Sequence, residues 1–482
     1  MTVATDEGEL AGVLASRSSP RSPALVVAPL LLLSLVMLVV LRLSAAELNN
    51  QDTWFHLALG DRFRDTWGLG HPGSLSPFAT SPWVPTQWST QVLASLFHSW
   101  FGLPGVAWLF GVLMLTFVVA VNGVCRSLSG ALPAAVATTL TVLACAPALS
   151  ARPQVVSLVC LAVTVGAWLR TAGDGEPRWW LVPMTWLWAT AHGLWSAGVL
   201  VGFVCSVGVV LDRRVRGRPA ARLFALPVAC LLVTALTPVG PRLLTSQLAV
   251  SARSSLIPEW GPTSFREVPA LVAAVMIGWL VVLWVRRGSR VSWTRLLLML
   301  VAGAWMLTVT RMVGPGSVIV APLLAEAVHT RMRHRGVDSR QRRRERWGVG
   351  LASGAYIVGL TLMVPHTAAS AAGVPTALEP QLQALPPGTA VLVEDGVGGW
   401  IEWRLPTLHP VIDGMLDAYP VDYIRRFFEM TELEPGWRMF IADSHAQAAV
   451  LKTGSPLSAA VQDQLGWRIV QKDGPWVYLL AP

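Results

Sequence analysis

In a chain that is 53% hydrophobic and only 13% charged, the polar side chains standing between apolar runs are few enough to name. Gln51-Asp-Thr-Trp-Phe-His56 places a carboxylate and an imidazole four residues apart. A helix starting there sets Asp52 and His56 on one face. Arg152 opens an apolar run as Ala-Arg-Pro-Gln, and His192 sits in Ala-His-Gly-Leu-Trp. Arg242 follows Thr-Pro-Val-Gly-Pro, Glu259 precedes Trp260, and Arg311 ends another apolar run. A positioned carboxylate or imidazole can take or give a proton. A guanidinium offers forked donors to phosphate or carboxylate. Charge at mid-bilayer costs roughly 2.5–3.5 kcal/mol and less near the ends of a span. Residues of both signs at one membrane level therefore point to an anionic, polar-headed substrate. Each residue also has a plainer reading. Asp52 can be a helix N-cap, and His56 an interfacial histidine. Arg152, Arg242 and Arg311 can snorkel to headgroups. His192 can cap the turn before Gly193, and Glu259 can be an ordinary loop carboxylate.

These residues need elements that hold them at one level. A soluble domain carries about 25% charge, so long apolar runs in a chain of this composition face lipid. The runs predict about 11 helical spans, near 24–46, 103–124, 130–149, 153–170, 179–191, 193–211, 222–238, 268–286, 294–312, 314–330 and 348–365. The fifth is short, and it can be half of a hairpin with the sixth. The first is read as an uncleaved helix behind a polar N-terminal tail, 1–23.

The net charge of +9 sits in clusters between the runs: Arg126, Arg170–Arg178, Arg213–Arg222, Arg286–Arg295 and Arg331–Arg346. Counting spans places all five on one side, which the positive-inside rule makes cytoplasmic. Most tryptophans lie in or beside apolar spans, where an interfacial belt is the ordinary reading, so nucleic acid is not an expected partner. The other side is left with loops 47–102 and 239–267 and a tail, 366–482. The tail carries more acids than bases. Ala390–Val393, Ala448–Leu451 and Trp476–Leu480 read as strands, 421–433 and 456–465 as helices, and Trp467–Gln471 with Trp476–Leu480 as a hairpin. The tail is thus predicted to be a small extracytoplasmic α/β domain on an α-helical polytopic membrane protein. Its Asp395-Gly-Val-Gly-Gly399 reads as a turn rather than a nucleotide loop, and Asp413-Gly-Met-Leu-Asp417 as a loop at a sheet end. Cys125, Cys145, Cys160, Cys205 and Cys230 all fall in or at the ends of spans without CxxC spacing. Neither disulfides nor a cysteine-ligated zinc site is expected.

Asp-Thr-Trp-Phe-His56, Ser76-Pro-Phe78 and Pro85-Thr-Gln-Trp88 resemble the first outer loop of bacterial GT-C-like membrane glycosyltransferases. Ala-Arg152-Pro-Gln, Ala191-His-Gly193, Thr-Pro238-Val-Gly240, Glu259-Trp260 and Val-Ile-Asp413-Gly resemble further patches of one branch. The resemblance spans most of the chain through short motifs. It implies a GT-C-like fold and transfer of a hexosyl or pentosyl group from a polyprenyl-phosphate-linked sugar to an outward-facing acceptor, in contact with membrane lipid. Asp52 matches the acidic position of the family's first outer loop, which implies a general base or a contact to a divalent cation. His56 stands with it as a catalytic candidate. Arg152 and Arg311 would hold the donor phosphate, with His192, Arg242 and Glu259 as further substrate contacts. An adjacent Glu-x-Asp arrangement is absent near Asp52, which leaves the metal open. Two rival readings are a lipid-linked glycan transporter and a non-catalytic scaffold for envelope glycan assembly. The few charges inside the spans count against a transport path.

Overall fold

A computed structural model describes residues 23–251, 256–288, 290–332, 339–394 and 396–482. Asp395 and the basic stretch 333–338 lie outside the described residues. Each predicted span falls on a helix: α1 (Pro23–Ser44), α3 (Trp88–Leu128), α4 (Ala131–Ala144), α5 (Gln154–Asp174), α6 (Leu181–Ala191), α7 (Trp195–Arg213), α8 (Arg218–Val233), α10 (Val268–Arg287), α11 (Trp293–Thr308), α12 (Val313–Arg331) and α13 (Ser339–Thr367). Two more lie outside the predicted spans, α2 (Asp52–Thr66) and α9 (Arg242–Ser251). Among the described residues, eight helices are long and apolar enough to cross a membrane. The segments at α4, α6 and α11 are shorter, with 14, 11 and 16 residues. The chain is a multi-pass membrane protein.

The first outer segment is largely helical rather than a loop. It contains α2 and the first part of α3, which leads into the following span across a kink. The kink is at Gly102 (φ 65°, ψ −159°), two residues before Pro104. A residue without Cβ takes that conformation at no steric cost, and proline then opens the next helical stretch. The predicted span start at 103 coincides with this break.

Polar bonds inside the bundle are few and specific. Tyr356 on α13 donates to the Gly111 carbonyl of α3 at 3.0 Å, and its hydroxyl lies 2.9 Å from Ser44 Oγ on α1. Bonds of this kind between membrane helices contribute about 0.6 kcal/mol each. Close packing supplies the rest: a Cβ on Gly111 would lie 2.7 Å from Leu360.

The tail forms, among the described residues, a five-stranded sheet of β1 (Ala390–Val393), β2 (His409–Pro410), β3 (Ala448–Lys452), β4 (Arg468–Asp473) and β5 (Trp476–Leu480), in the order β2-β1-β3-β5-β4. β1 is parallel to β2 and β3, while β5 is antiparallel to β3 and β4. The predicted hairpin is β4–β5. Its helices are α14 (Glu379–Gln383), α15 (Gly398–Arg404), α16 (Val421–Thr431), α17 (Trp437–Asp443) and α18 (Pro456–Leu465). The short α14, α15 and α17 and the two-residue β2 carry too little periodicity to stand out in the sequence.

The sheet docks on the first outer segment. Trp54 of α2 stacks on Trp403 of α15 at 5.4 Å between ring centroids. Ser76 Oγ donates to the Pro410 carbonyl at 2.9 Å, and Ser81 N–H to the Ala418 carbonyl at 2.9 Å. The glycine-rich segment makes this approach possible. A Cβ on Gly398 would lie 1.7 Å from the Ile412 carbonyl oxygen, and one on Gly399 3.1 Å from Phe55 N. Those glycines serve backbone-to-backbone packing.

Candidate active site

Three hydrogen bonds between elements assemble the site, each one residue away from a candidate site residue. Thr53 Oγ1 of α2 donates to the Ala151 carbonyl at 3.1 Å, which brings Asp52 beside Arg152. Thr90 Oγ1 of α3 donates to the Ala191 carbonyl at 3.0 Å and holds the end of α6 next to His192. Thr310 N–H donates to the Gly261 carbonyl at 3.0 Å, which sets Arg311 beside the Glu259–Trp260 turn.

The result is one cavity of about 620 Å³, lined by Asp52, His56, Arg152, His192, Glu259 and Arg311, among others. Arg152 Nη1 donates to Asp52 Oδ2 at 2.8 Å and lies 3.8 Å from Glu259 Oε1. Arg311 Nη1 donates to Glu259 Oε2 at 2.8 Å, and its guanidinium lies over the Trp260 ring at 5.7 Å. Acid and base thus alternate as Asp52, Arg152, Glu259, Arg311. Arg152 is additionally held by Ser150 Oγ and the Pro147 carbonyl. These two arginines point into the cavity and toward acids, rather than outward to headgroups.

Asp52 is not the helix cap. Gln51 occupies the N-cap position without a side-chain cap bond, and Asp52 N–H is satisfied by Asn50 Oδ1 at 3.1 Å. Its carboxylate is turned to Arg152 instead.

Both histidines are buried in the wall. His56 Nδ1 lies 2.9 Å from Gln91 Nε2. Burial pushes the His56 imidazole down to about 4, against the opposing pull of Asp52. It is therefore neutral at pH 7. His192 Nδ1 accepts from Leu194 N–H at 3.2 Å and lies 2.8 Å from Ser157 Oγ. The bond from Leu194 N–H puts the His192 proton on Nε2. His192 caps its turn and also lines the cavity, so the two readings are not exclusive.

Arg242 stands apart. It opens α9, donates to the Gly70 carbonyl and does not line the cavity. Its proximity in sequence to Pro238-Val-Gly240 does not carry it inward.

Sequence reasoning missed several wall residues. Gln51, Trp83, Gln87, Gln91 and Gln154 come from the first outer segment and from the start of α5. Glutamines beside apolar spans were the available signal. Gly414, Met415, Leu416 and Asp417 of the tail also line the cavity, so the expected sheet-end loop doubles as its roof.

The bundle has two chemically different ends. α3 carries Gln91 in its first turns and Arg126 in its last; α5 opens at Gln154 and carries Arg170 near its end; α7 follows the His192 turn and ends at Arg213; α12 follows Arg311 and ends at Arg331. The same helices therefore carry cavity residues at one end and arginines at the other. The tail begins at the cavity end, where Ala372 N–H donates to the Leu48 carbonyl at 3.0 Å.

No family model matches the chain, and no curated protein matches it in sequence. Solved structures match in fold. The oligosaccharyltransferase AglB from Archaeoglobus fulgidus, in complex with an inhibitory peptide and a dolichol-phosphate, aligns with TM-score 0.54 at 12% identity, over 94% of this chain and 74% of that one. ArnT from Cupriavidus metallidurans, bound to undecaprenyl phosphate, aligns with TM-score 0.51 at 13% identity, over 93% of this chain and 97% of that one. The chain shares the fold of these two membrane proteins. Within this fold the cavity falls between the first outer segment, the span ends and the C-terminal domain.

The donor set does not suit a divalent cation at Asp52. Among the described residues no three His, Cys, Asp or Glu side chains gather. Asp52 and Glu259 each already accept from a guanidinium.

Proposed function

We propose that the chain is an inverting glycosyltransferase that moves a sugar from a polyprenyl-phosphate carrier to an outward-facing acceptor. The observation that carries this reading is the alternating row of Asp52, Arg152, Glu259 and Arg311 inside one cavity of a GT-C fold. The cavity lies within the 300–1,000 Å³ range of small-ligand sites. The two solved relatives in fold hold a dolichol-phosphate and undecaprenyl phosphate, and a carrier of that class supplies the anion the two arginines fit.

In this reading the two carboxylates keep the arginines in place until the donor phosphate arrives. Arg152 and Arg311 then exchange carboxylate for phosphate, which leaves the Asp52 carboxylate open to the acceptor. Asp52 takes the proton of the acceptor hydroxyl as its oxygen bonds to the anomeric carbon. The bond from that carbon to the phosphate oxygen breaks, and the electron pair leaves with the polyprenyl phosphate. The guanidinium groups stabilise the charge that develops there. Neutral His56 and His192 offer hydrogen bonds to sugar hydroxyls. The acceptor enters beneath the roof at 414–417. The cavity and the 366–482 domain face outward, and the arginine end, with the 1–23 tail, faces the cytoplasm.

The test is Asp52→Asn in purified protein, assayed with polyprenyl-phosphate sugars against a panel of acceptors. Shape and insertion are preserved, and transfer falls by at least about 100-fold, the low end for losing an acid–base group. Full activity in this variant overturns the assignment and moves the base to His56 or Glu259. Reporter fusions at Arg340 and Gly454 test the orientation; the same signal at both sites refutes it.

A further inference from the structure

The arginine end of the bundle contains a second cavity, of about 440 Å³, where α1, α3, α4, α5 and α13 meet. Its two halves differ in chemistry. Pro29, Leu30, Leu33, Val119 and Val349 make an apolar floor. Arg126, Arg170, Arg342 and Arg346 stand around it with a single acid, Glu345. Arg126 is committed to Glu345, with Nε 2.8 Å from Oε2, and to the Ser129 carbonyl. Among the described residues, no carboxylate pairs with Arg170, Arg342 or Arg346. Guanidinium donors left without an acid beside an apolar floor, at the level where a span meets water, match an anionic headgroup with its acyl chain below. Gly123 also lines this cleft, and a Cβ there would meet nothing within 4 Å, so the floor has open room.

We propose that this cleft is a binding site for an anionic phospholipid, with its phosphate held by Arg170, Arg342 and Arg346 and one acyl chain lying along Leu30, Leu33 and Val119. It is separate from the candidate active site: Gln154 lines that site and Arg170 this cleft, roughly 24 Å apart along α5 at 1.5 Å per residue. The proposal does not rest on the transferase reading.

The test uses the full-length protein in detergent, titrated with dioleoylphosphatidylglycerol or dioleoylphosphatidylcholine and read by native mass spectrometry. Wild type is expected to retain phosphatidylglycerol at least about tenfold more than phosphatidylcholine, and Arg170→Gln or Arg346→Gln to weaken that retention about fivefold each. Arg286→Gln removes the same charge from the last turn of α10, outside the cleft, and is expected to leave retention unchanged. Gly123→Leu fills the floor without changing charge and is expected to expel the lipid, so the site is tested even where an arginine variant folds poorly. Equal retention of both lipids, an equal loss in Arg286→Gln, or unchanged retention in Gly123→Leu overturns the proposal. Displacement of the lipid by millimolar inorganic phosphate, while Gly123→Leu stays inert, would assign the cleft to a free anion and overturn the lipid assignment.

Discussion

Gly398→Ala is the sharpest test of how the C-terminal domain meets the cavity. The added Cβ would stand 1.7 Å from the Ile412 carbonyl oxygen, 2.7 Å from its carbon and 2.9 Å from Asp413 Cα. Contacts below 3.0 Å essentially never occur for real Cβ atoms. All three obstacles are backbone, so no side chain can rotate away. The 411–413 segment must retreat by about 1.3 Å, in an interior that resists such shifts. The expected cost is ~3 kcal/mol, the upper part of the range for overpacking. That corresponds to a roughly 150-fold rise in the open fraction of this region. Hydrogen–deuterium exchange across 390–417 should accelerate by about that factor. The roof at 414–417 moves with Ile412, and a displacement of about 1 Å near a reacting centre can cost about 100-fold in rate. Gly354→Ala is the control, since a Cβ there meets nothing within 4 Å; its exchange and activity should match wild type. Exchange in Gly398→Ala within about fivefold of wild type would refute the packing argument.

Other outcomes follow from the same geometry. His56 is neutral when folded, with its value pushed down to about 4 from 6.5. Its contribution is therefore present above pH 6.5 and is lost as pH falls toward 4, up to ~3 kcal/mol; a His56→Gln variant should show a flatter acid limb in thermal unfolding, and an unchanged limb would show that His56 is hydrated. Glu402 and Asp413 are buried together, and burial followed by the Asp413 charge holds the Glu402 carboxyl well above its usual range. A carboxyl raised in this way loses stability as pH climbs from its unfolded value through its folded one. Glu402→Gln is expected to raise the thermal midpoint at pH 8 and leave it unchanged at pH 4; equal midpoints at both would count against the buried pair. Arg311→Gln removes one of the two guanidinium groups proposed to hold the donor phosphate and leaves Glu259, among the described residues, with its longer contact to Arg152. Binding of undecaprenyl phosphate should weaken about tenfold or more, by fluorescence titration, and unaltered binding would remove Arg311 from the donor site.

The first outer segment shows how far local pattern reaches. Asp-Thr-Trp-Phe-His56 does start a helix, as its spacing allowed, yet nothing local distinguished a capping Asp52 from one turned to another element. That choice depends on the Thr53–Ala151 bond, which joins residues 98 apart. Arg152, Arg242 and Arg311 share a position at the ends of apolar runs, so sequence treats them alike. Only packing sends two into the cavity and ties the third to Gly70. The glycine-rich 396–399 segment was legible as a turn, but its last two glycines open α15, and their partner, the Ile412 backbone, is remote.

Apolar run length, arginine placement and period-two strands are local or one-dimensional signals. They were enough to establish a multi-span membrane chain with arginines gathered between spans and a C-terminal α/β domain containing the β4–β5 hairpin. The sharing of a cavity by Asp52, His56, Arg152, His192 and Arg311 was suggested by their common membrane level. The roof from 414–417, the neutral His56 against Gln91, and the cleft beside Arg170 and Arg346 were not. Each depends on helices and loops distant in sequence arriving at one point, and the free energy that brings them there is packing and burial, which residue order alone does not display.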